Sequence, residues 1–331
     1  MTAAPMRRFG ATPRSAEARV LAAIDVGTNM VRMRVERRGG GEPAALVFHD
    51  WEITRLGGGQ GSDGALTAEA MERTARVLAR FGGRARELGA AWVWAAGTSA
   101  VREATNQREF VSLVRARAGL DLAVVDGAEE ARLDALGALG ELGGEPRQGV
   151  LVDIGGGSTE LVRIEGGAPA HGRSYPVGVV RLTERLLSAD PPTRDELQAL
   201  EAAARAALAD GRELVAAVRS PGFELVANSG TATTLAAVDL GLRELDPERI
   251  RGHRVDRATV DRIYHALACL PAARRLDVPG VARGREDLII AGLALLRATM
   301  DLVGVDGVRI STGGLLEGLL ADRARAAGWE E

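Results

Sequence analysis

One pattern constrains this chain more than any other. A short apolar strand stops at Asp-x-Gly, a second strand follows, and a glycine turn closes the unit; the whole pattern occurs twice. The first copy is Val20–Ile24, then Asp25-Val26-Gly27-Thr28-Asn29, then residues 30–37 and Gly39-Gly40-Gly41. The second is Gly149–Ile154, running into Asp153-Ile154-Gly155-Gly156-Gly157-Ser158-Thr159, then Glu160–Ile164 and Gly166-Gly167. Residues 30–37 alternate apolar and polar, as a strand with one solvated face does. A strand turning directly into another strand makes an antiparallel hairpin, not the opening of a strand–helix crossover. Two such hairpins, about one domain length apart in 331 residues, predict two α/β domains of one design.

The remaining segments fill out both domains. Thr67 reads as the N-cap of a helix that turns Met71, Ala75, Leu78 and Phe81 inward. Ala91–Ala95 is a buried strand, Asn106 opens a helix, Leu122–Val125 is a strand and Ala128–Leu139 a helix. Long helices are expected over 193–217, 256–268 and 283–303, with strands at Phe223–Ala227 and Val308–Ile310. The Gly/Pro/charge-rich stretch Gly140–Arg147 reads as the domain boundary. This gives a mobile tail over 1–18, a first domain over 19–140 and a second over 141–331, with the last helix packing back on the first.

Composition removes several classes of function. The net charge of −3 argues against a broad basic surface for nucleic acid. No apolar run is long enough to span a membrane, and the N-terminus lacks the apolar core of a signal peptide, so a cytoplasmic protein is expected. The single cysteine, Cys269, rules out an intramolecular disulfide. In the run Leu267–Leu270 it reads as a buried core thiol. No Cys/His spacing suggests zinc, and there is no G-x-x-x-x-G-K-[ST] phosphate loop.

Chemistry is expected at four strand ends with small-residue turns: Asp25–Asn29, Asp153–Thr159, Asn228–Thr231 and Ser311–Gly314. Beyond strand ends a rigid sheet positions ligand-binding loops. Glycine lets backbone N–H groups approach an anion, and Ser or Thr hydroxyls add donors. Gly155, Gly156, Gly157, Ser158 and Thr159 are therefore candidate phosphate ligands, as are Ser229, Gly230 and Thr231. A carboxylate repels phosphate, so Asp25 and Asp153 are better suited to a divalent cation that bridges to it. Glu129 and Glu130 stand in the first turn of a helix, where the dipole keeps a carboxylate ionised and able to act as a base. Arg102 follows a Gly-Thr turn at a strand end, a place for a phosphate ligand.

Together these residues resemble the exopolyphosphatase / guanosine pentaphosphate phosphatase family, a branch of the actin–Hsp70–sugar kinase superfamily. AAIDVGTN, AAGTSAVREATN, VVDGAEEARLDALGAL, LVDIGGGSTELV, PVGVVRLTE, NSGTATTLAA and ISTGGLLEGLL carry the resemblance, in order, over nearly the whole chain after residue 18. It implies two ribonuclease-H-like lobes with a cleft between them and a short, two-domain form. It implies that Glu130 activates the attacking water, that Asp153 and Glu160 hold Mg²⁺ with Asp25 a further candidate, that Thr28 and Asn29 hold a phosphate, and that Arg102 binds near the scissile bond. Three positions depart from the family pattern: Met30, Leu316 and Asn228. The implied reaction is release of terminal phosphate from inorganic polyphosphate, with guanosine pentaphosphate (pppGpp) the second substrate, by a homodimer. A kinase of the superfamily would need an adenosine pocket, and a water-activating Glu130 argues against it. Intact Glu130, Asp153 and Glu160 likewise weigh against a non-catalytic phosphate-binding regulator.

Overall fold

The computed structural model describes residues 7–8, 18–59, 63–215 and 222–329. Of the expected tail, only Arg7, Arg8 and Ala18 are among them; the rest lies outside the described residues. The chain divides into two units, 1–129 with 315–331, and 130–314.

The first unit is one mixed sheet with helices. Its elements are β1 (Arg7–Arg8), β2 (Arg19–Val26), β3 (Met30–Gly39), β4 (Glu42–Ile53), α1 (Ala68–Glu87), β5 (Trp92–Gly97), α2 (Ser99–Glu103), α3 (Gln107–Ala118) and β6 (Leu122–Val124). The strand order is β4-β3-β2-β5-β6, with β1 also on β5; β2 pairs antiparallel with β3 and parallel with β5. Gly39, Gly40 and Gly41 have φ of 87°, 78° and 74°, a backbone that side chains resist, so glycine makes the turn between β3 and β4. Thr67 caps α1 by accepting from Ala70 N, and Met71, Ala75, Leu78 and Phe81 are buried with Ile24, Val31, Met33 and Val35.

The helix α4 (Gly127–Glu141) crosses the division, and nearly all of it belongs to the second unit. The unit continues with β7 (Gln148–Ile154), β8 (Thr159–Glu165), β9 (Ala168–Tyr175), α5 (Val179–Leu186), α6 (Arg194–Ala207), α7 (Arg212–Val215), β10 (Phe223–Asn228), α8 (Ser229–Asp239), α9 (Pro247–Ile250), β11 (Arg254–Asp256), α10 (Arg257–Ala268), α11 (Ala272–Arg275), α12 (Ile289–Val303) and β12 (Gly307–Ile310). Its sheet runs β9-β8-β7-β10-β12-β11, with β7, β10 and β12 parallel. The two sheets thus share one plan: an antiparallel three-strand meander whose first strand continues the sheet through parallel neighbours. The final helix, α13 (Leu315–Ala326), belongs to the first unit and packs on β2 and β3.

Two expectations are corrected here. The division falls between Glu129 and Glu130, not in Gly140–Arg147. Ala131, Ala135, Ala138 and Leu139 of α4 form a core with Leu151, Val162 and Val226, so the helix is anchored to the second sheet. The glycines and proline after it mark a turn between packed elements. Cys269 is exposed, because it is the cap residue after α10, one position past the buried Ala268.

Candidate active site

The two Asp-x-Gly loops have the same backbone. In the first unit Gly27 N donates to Met30 O at 3.0 Å; in the second Gly155 N donates to Ser158 O at 2.9 Å. Each closes a hairpin whose last paired residues are Val26↔Val31 and Ile154↔Thr159. Because Met30 enters this turn through its carbonyl, its side chain does not set the turn's geometry.

Each loop is also pinned from behind by the segment that follows the third strand. In the first unit Thr54 N and Arg55 N donate to Asn29 O, at 3.0 and 2.8 Å, and Gly57 N to Thr28 O at 2.9 Å. In the second, Val179 N and Val180 N at the start of α5 donate to Gly155 O and Gly156 O, at 3.0 and 2.9 Å. Gly178 is needed there, since a Cβ would collide with the carbonyl of Gly156. With the loop carbonyls occupied, the N–H groups of Gly156, Gly157 and Ser158 have no backbone acceptor among the described residues and can serve an anion. Asn29 is buried, and neither polar atom of its side chain has a partner among the described residues, as suits a residue that meets a ligand.

The charge opposite each Asp differs. Asp25 pairs in register with Arg32, whose Nε and Nη2 donate to Oδ2 at 3.0 and 2.7 Å. Asp153 pairs in register with Glu160. Glu160 is 1 % exposed, and its carboxyl is held well above the ordinary range. Burial is the main cause, the charges of Glu130 and Asp153 add to it, and hydrogen bonds from Ser174 and Ser158 oppose it. Ser174 Oγ donates to Glu160 Oε1 at 2.6 Å.

Glu130 comes to this cluster on α4. Asp126 caps the helix by accepting from Glu129 N at 2.8 Å, which places Glu130 at the end of the first turn, 9 % exposed. One turn on, Asp134 points the same way. It is 1 % exposed, and burial, with the charge of Asp153 adding to it, raises its carboxyl well above the usual range. Asn228, in register with Asp153 on the next strand, donates from Nδ2 to Asp134 Oδ2 at 2.8 Å and to Gly313 O at 3.2 Å.

A cation fits this arrangement. Asp153 Oδ1 and Asp134 Oδ1 are buried acceptors without a donor among the described residues. Among the described residues no three His, Cys, Asp or Glu side chains form a metal cage of their own. One or two carboxylates completed by phosphate oxygens is how Mg²⁺ is usually bound. Asp153 and Glu160 are such a pair; Asp25, held by Arg32, is less suited to the task.

The other expected ligands divide. Thr159 Oγ1 donates to Val177 O at 2.7 Å and Ser229 Oγ to Ile154 O at 3.0 Å, so both hydroxyls fasten the loops. Ser229 has φ 66°, a strained backbone at the start of α8. Thr231 is buried against Gly292 of α12. Gly230 carries the guanidinium of Arg285 directly on its backbone, where any Cβ would overlap it. In the first unit Thr98 N donates to Val26 O at 3.2 Å, and Arg102 Nη1 donates to Val125 O at 3.1 Å, just ahead of α4. Leu316, on α13, is 2 % exposed.

Sequence reasoning missed Asp134 and Arg285. The spacing of Asp134 from Glu130 on one helix could have found the first. Nothing local distinguishes Arg285 from the many other arginines.

The Ppx/GppA phosphatase family model matches residues 35–327 of the chain. Exopolyphosphatase 2 of Mycobacterium tuberculosis is 33 % identical over 315 residues, covering 90 % of this chain and 97 % of that protein. The crystal structure of an exopolyphosphatase from Cytophaga hutchinsonii superposes with a TM-score of 0.85 at 25 % identity, covering 93 % of this chain and 98 % of the other. The Aquifex aeolicus member of the Ppx/GppA family gives 0.79 at 27 % identity, covering 94 % and 99 %. With its two actin-like sheets and matched loops, the chain belongs to the Ppx/GppA phosphatase family and is a phosphoanhydride hydrolase.

Proposed function

We propose that the chain is a magnesium-dependent exopolyphosphatase that releases terminal orthophosphate from inorganic polyphosphate. The observation that carries this reading is the second-unit loop: free N–H groups on Gly156, Gly157 and Ser158 beside the carboxylates of Glu130, Asp153 and Glu160. The N–H groups bind phosphate oxygens. Asp153 and Glu160 would hold Mg²⁺, which when bound supplies positive charge to the phosphoryl oxygens. Glu130 takes the proton from the attacking water. Little covalent chemistry falls to the protein in such a transfer, so positioning and electrostatics supply most of the rate. Arg285, over the first residues of α8, binds phosphate there, and Arg102, Thr28 and Asn29 are assigned phosphate oxygens as well. Polyphosphate is preferred to pppGpp because the similar proteins from Mycobacterium tuberculosis and Cytophaga hutchinsonii are named exopolyphosphatases.

The test is phosphate release from polyphosphate and from pppGpp, each with Mg²⁺, by wild type and Glu130→Gln. Release from polyphosphate, reduced about 10²–10⁴-fold in the variant, is expected. Release from pppGpp alone would reassign the substrate. Near-full activity of Glu130→Gln would remove Glu130 as the base.

A further inference from the structure

Arg285 lies in the turn segment 281–288, and a turn alone does not fix where an arginine points. Its own backbone is tied locally: Arg285 N donates to Ala282 O at 3.1 Å, and Leu288 N and Ile289 N donate to Arg285 O at 3.0 and 2.9 Å. The segment also follows α8. Gly280, with φ 99°, sits so close to Ala237 and Val238 at the far end of that helix that a Cβ would overlap their backbone, while Arg285 reaches Gly230 at its beginning.

One residue from elsewhere holds this segment. Arg275, at the end of α11, is 3 % exposed. Its Nη1 donates to Glu286 O at 2.7 Å, the carbonyl next after Arg285, and its Nε donates to Leu267 O at 3.0 Å in the last turn of α10. The nearest carboxylate oxygen to its Nη2 belongs to Asp190, at 3.8 Å. Burying a guanidinium beside so distant a counter-charge is costly, and an apolar side chain of that size would fill the space more cheaply. What an apolar residue cannot do is bridge two backbones with donors at a fixed angle.

We propose that Arg275 is a positioning residue: it locks the backbone at Glu286 so that the guanidinium of Arg285 stays over Gly230, ready for a phosphate group. The inference rests on the phosphate-binding reading of that loop. Lysine keeps the charge of Arg275 without its fork, and methionine keeps the bulk without charge.

The experiment measures KM and kcat for phosphate release, and separately the binding of tripolyphosphate by calorimetry in a Glu130→Gln background, where no turnover is needed. Arg285→Ala is expected to raise KM and Kd about 30-fold, and Arg275→Lys about fivefold with kcat nearly unchanged. In an Arg285→Ala background, Arg275→Lys should change neither constant further, since the guanidinium it positions is gone. If Arg275→Met does not fold, Arg275→Lys still decides the matter. Equal effects of Arg275→Lys in both backgrounds, or a lower Tm with unchanged KM and Kd, overturn the proposal. No effect of Arg285→Ala on tripolyphosphate binding overturns it together with the ligand role of Arg285. Tripolyphosphate binding that follows the expected pattern without any polyphosphate hydrolysis supports the positioning role and overturns the proposed reaction alone.

Discussion

The loop after β2 and the loop after β7 are closed by the same hydrogen bond, yet they present opposite chemistry. Both close with an N–H from the glycine to the carbonyl three residues on, and both have their carbonyls held by the segment behind them. The residue facing the Asp across the hairpin is Arg32 in one and Glu160 in the other. A guanidinium neutralises Asp25, so that loop offers backbone donors and Asn29. A second carboxylate leaves Asp153 in a negative cluster that calls for a cation. One backbone device therefore serves two electrostatic roles, and a single position in the second strand of each hairpin selects between them.

The largest effect expected from breaking this contrast comes from that position. Glu160→Gln keeps the size and removes the charge; phosphate release should fall on the order of 10³-fold, with weakened Mg²⁺ activation. Asp25→Asn, in the neutralised loop, should cost no more than about tenfold. Titrating activity against Mg²⁺ in both variants checks the pair, and equal losses would erase the distinction.

A smaller effect concerns how each loop is held. A Cβ at Gly178 would meet the backbone of Gly156 and Gly157, which cannot move without displacing the N–H groups proposed to bind phosphate. A Cβ at Gly57 would meet the Thr28 Cγ2 at 2.5 Å, a side-chain methyl that can turn aside. Gly178→Ala should lower stability by about 2–3 kcal/mol and raise KM, and Gly57→Ala should do less of both. Urea denaturation and steady-state kinetics separate the two.

The smallest effect is a pH dependence confined to the acidic loop. Burial and Asp153 raise the Asp134 carboxyl, so the folded chain keeps a proton that the unfolded chain releases. Its stabilising contribution is complete below the ordinary carboxylate range and is lost as pH rises through the folded value. Without Mg²⁺, Asp134→Asn should match wild type at acid pH and exceed it by about 1 kcal/mol at neutral pH and above. Asp25→Asn, which gives up an ion pair, should move stability the other way. Thermal melts of wild type and variant across pH decide this, and a variant that loses stability relative to wild type as pH rises would contradict it.

Much of this site was legible before any coordinates. The hairpins follow from apolar runs broken by Asp-x-Gly, because side-chain alternation and glycine turns are local properties of the chain. Thr67 as a cap and the inward face of α1 follow from helical spacing in the same way. Gly140–Arg147 misled because glycine and proline mark any turn, whether it joins domains or two elements packed together. Thr159 and Ser229 read as phosphate donors since a hydroxyl in a small-residue loop looks available; only Val177 O and Ile154 O, brought in from other segments, show those hydroxyls occupied.

The sequence by itself determined two hairpins of one design, the glycines that let their amides approach an anion, and the carboxylates at Glu130, Asp153 and Glu160. These depend on neighbours within a few residues, whose conformations are set by sterics and short-range hydrogen bonds. The tertiary structure alone decided that Asp134 and Asn228 join Asp153 and that Arg285 lies on Gly230. Those pairings link strands and helices far apart in the chain, and charge and hydrogen bonding act through the distance between atoms in space, whatever their separation along the sequence.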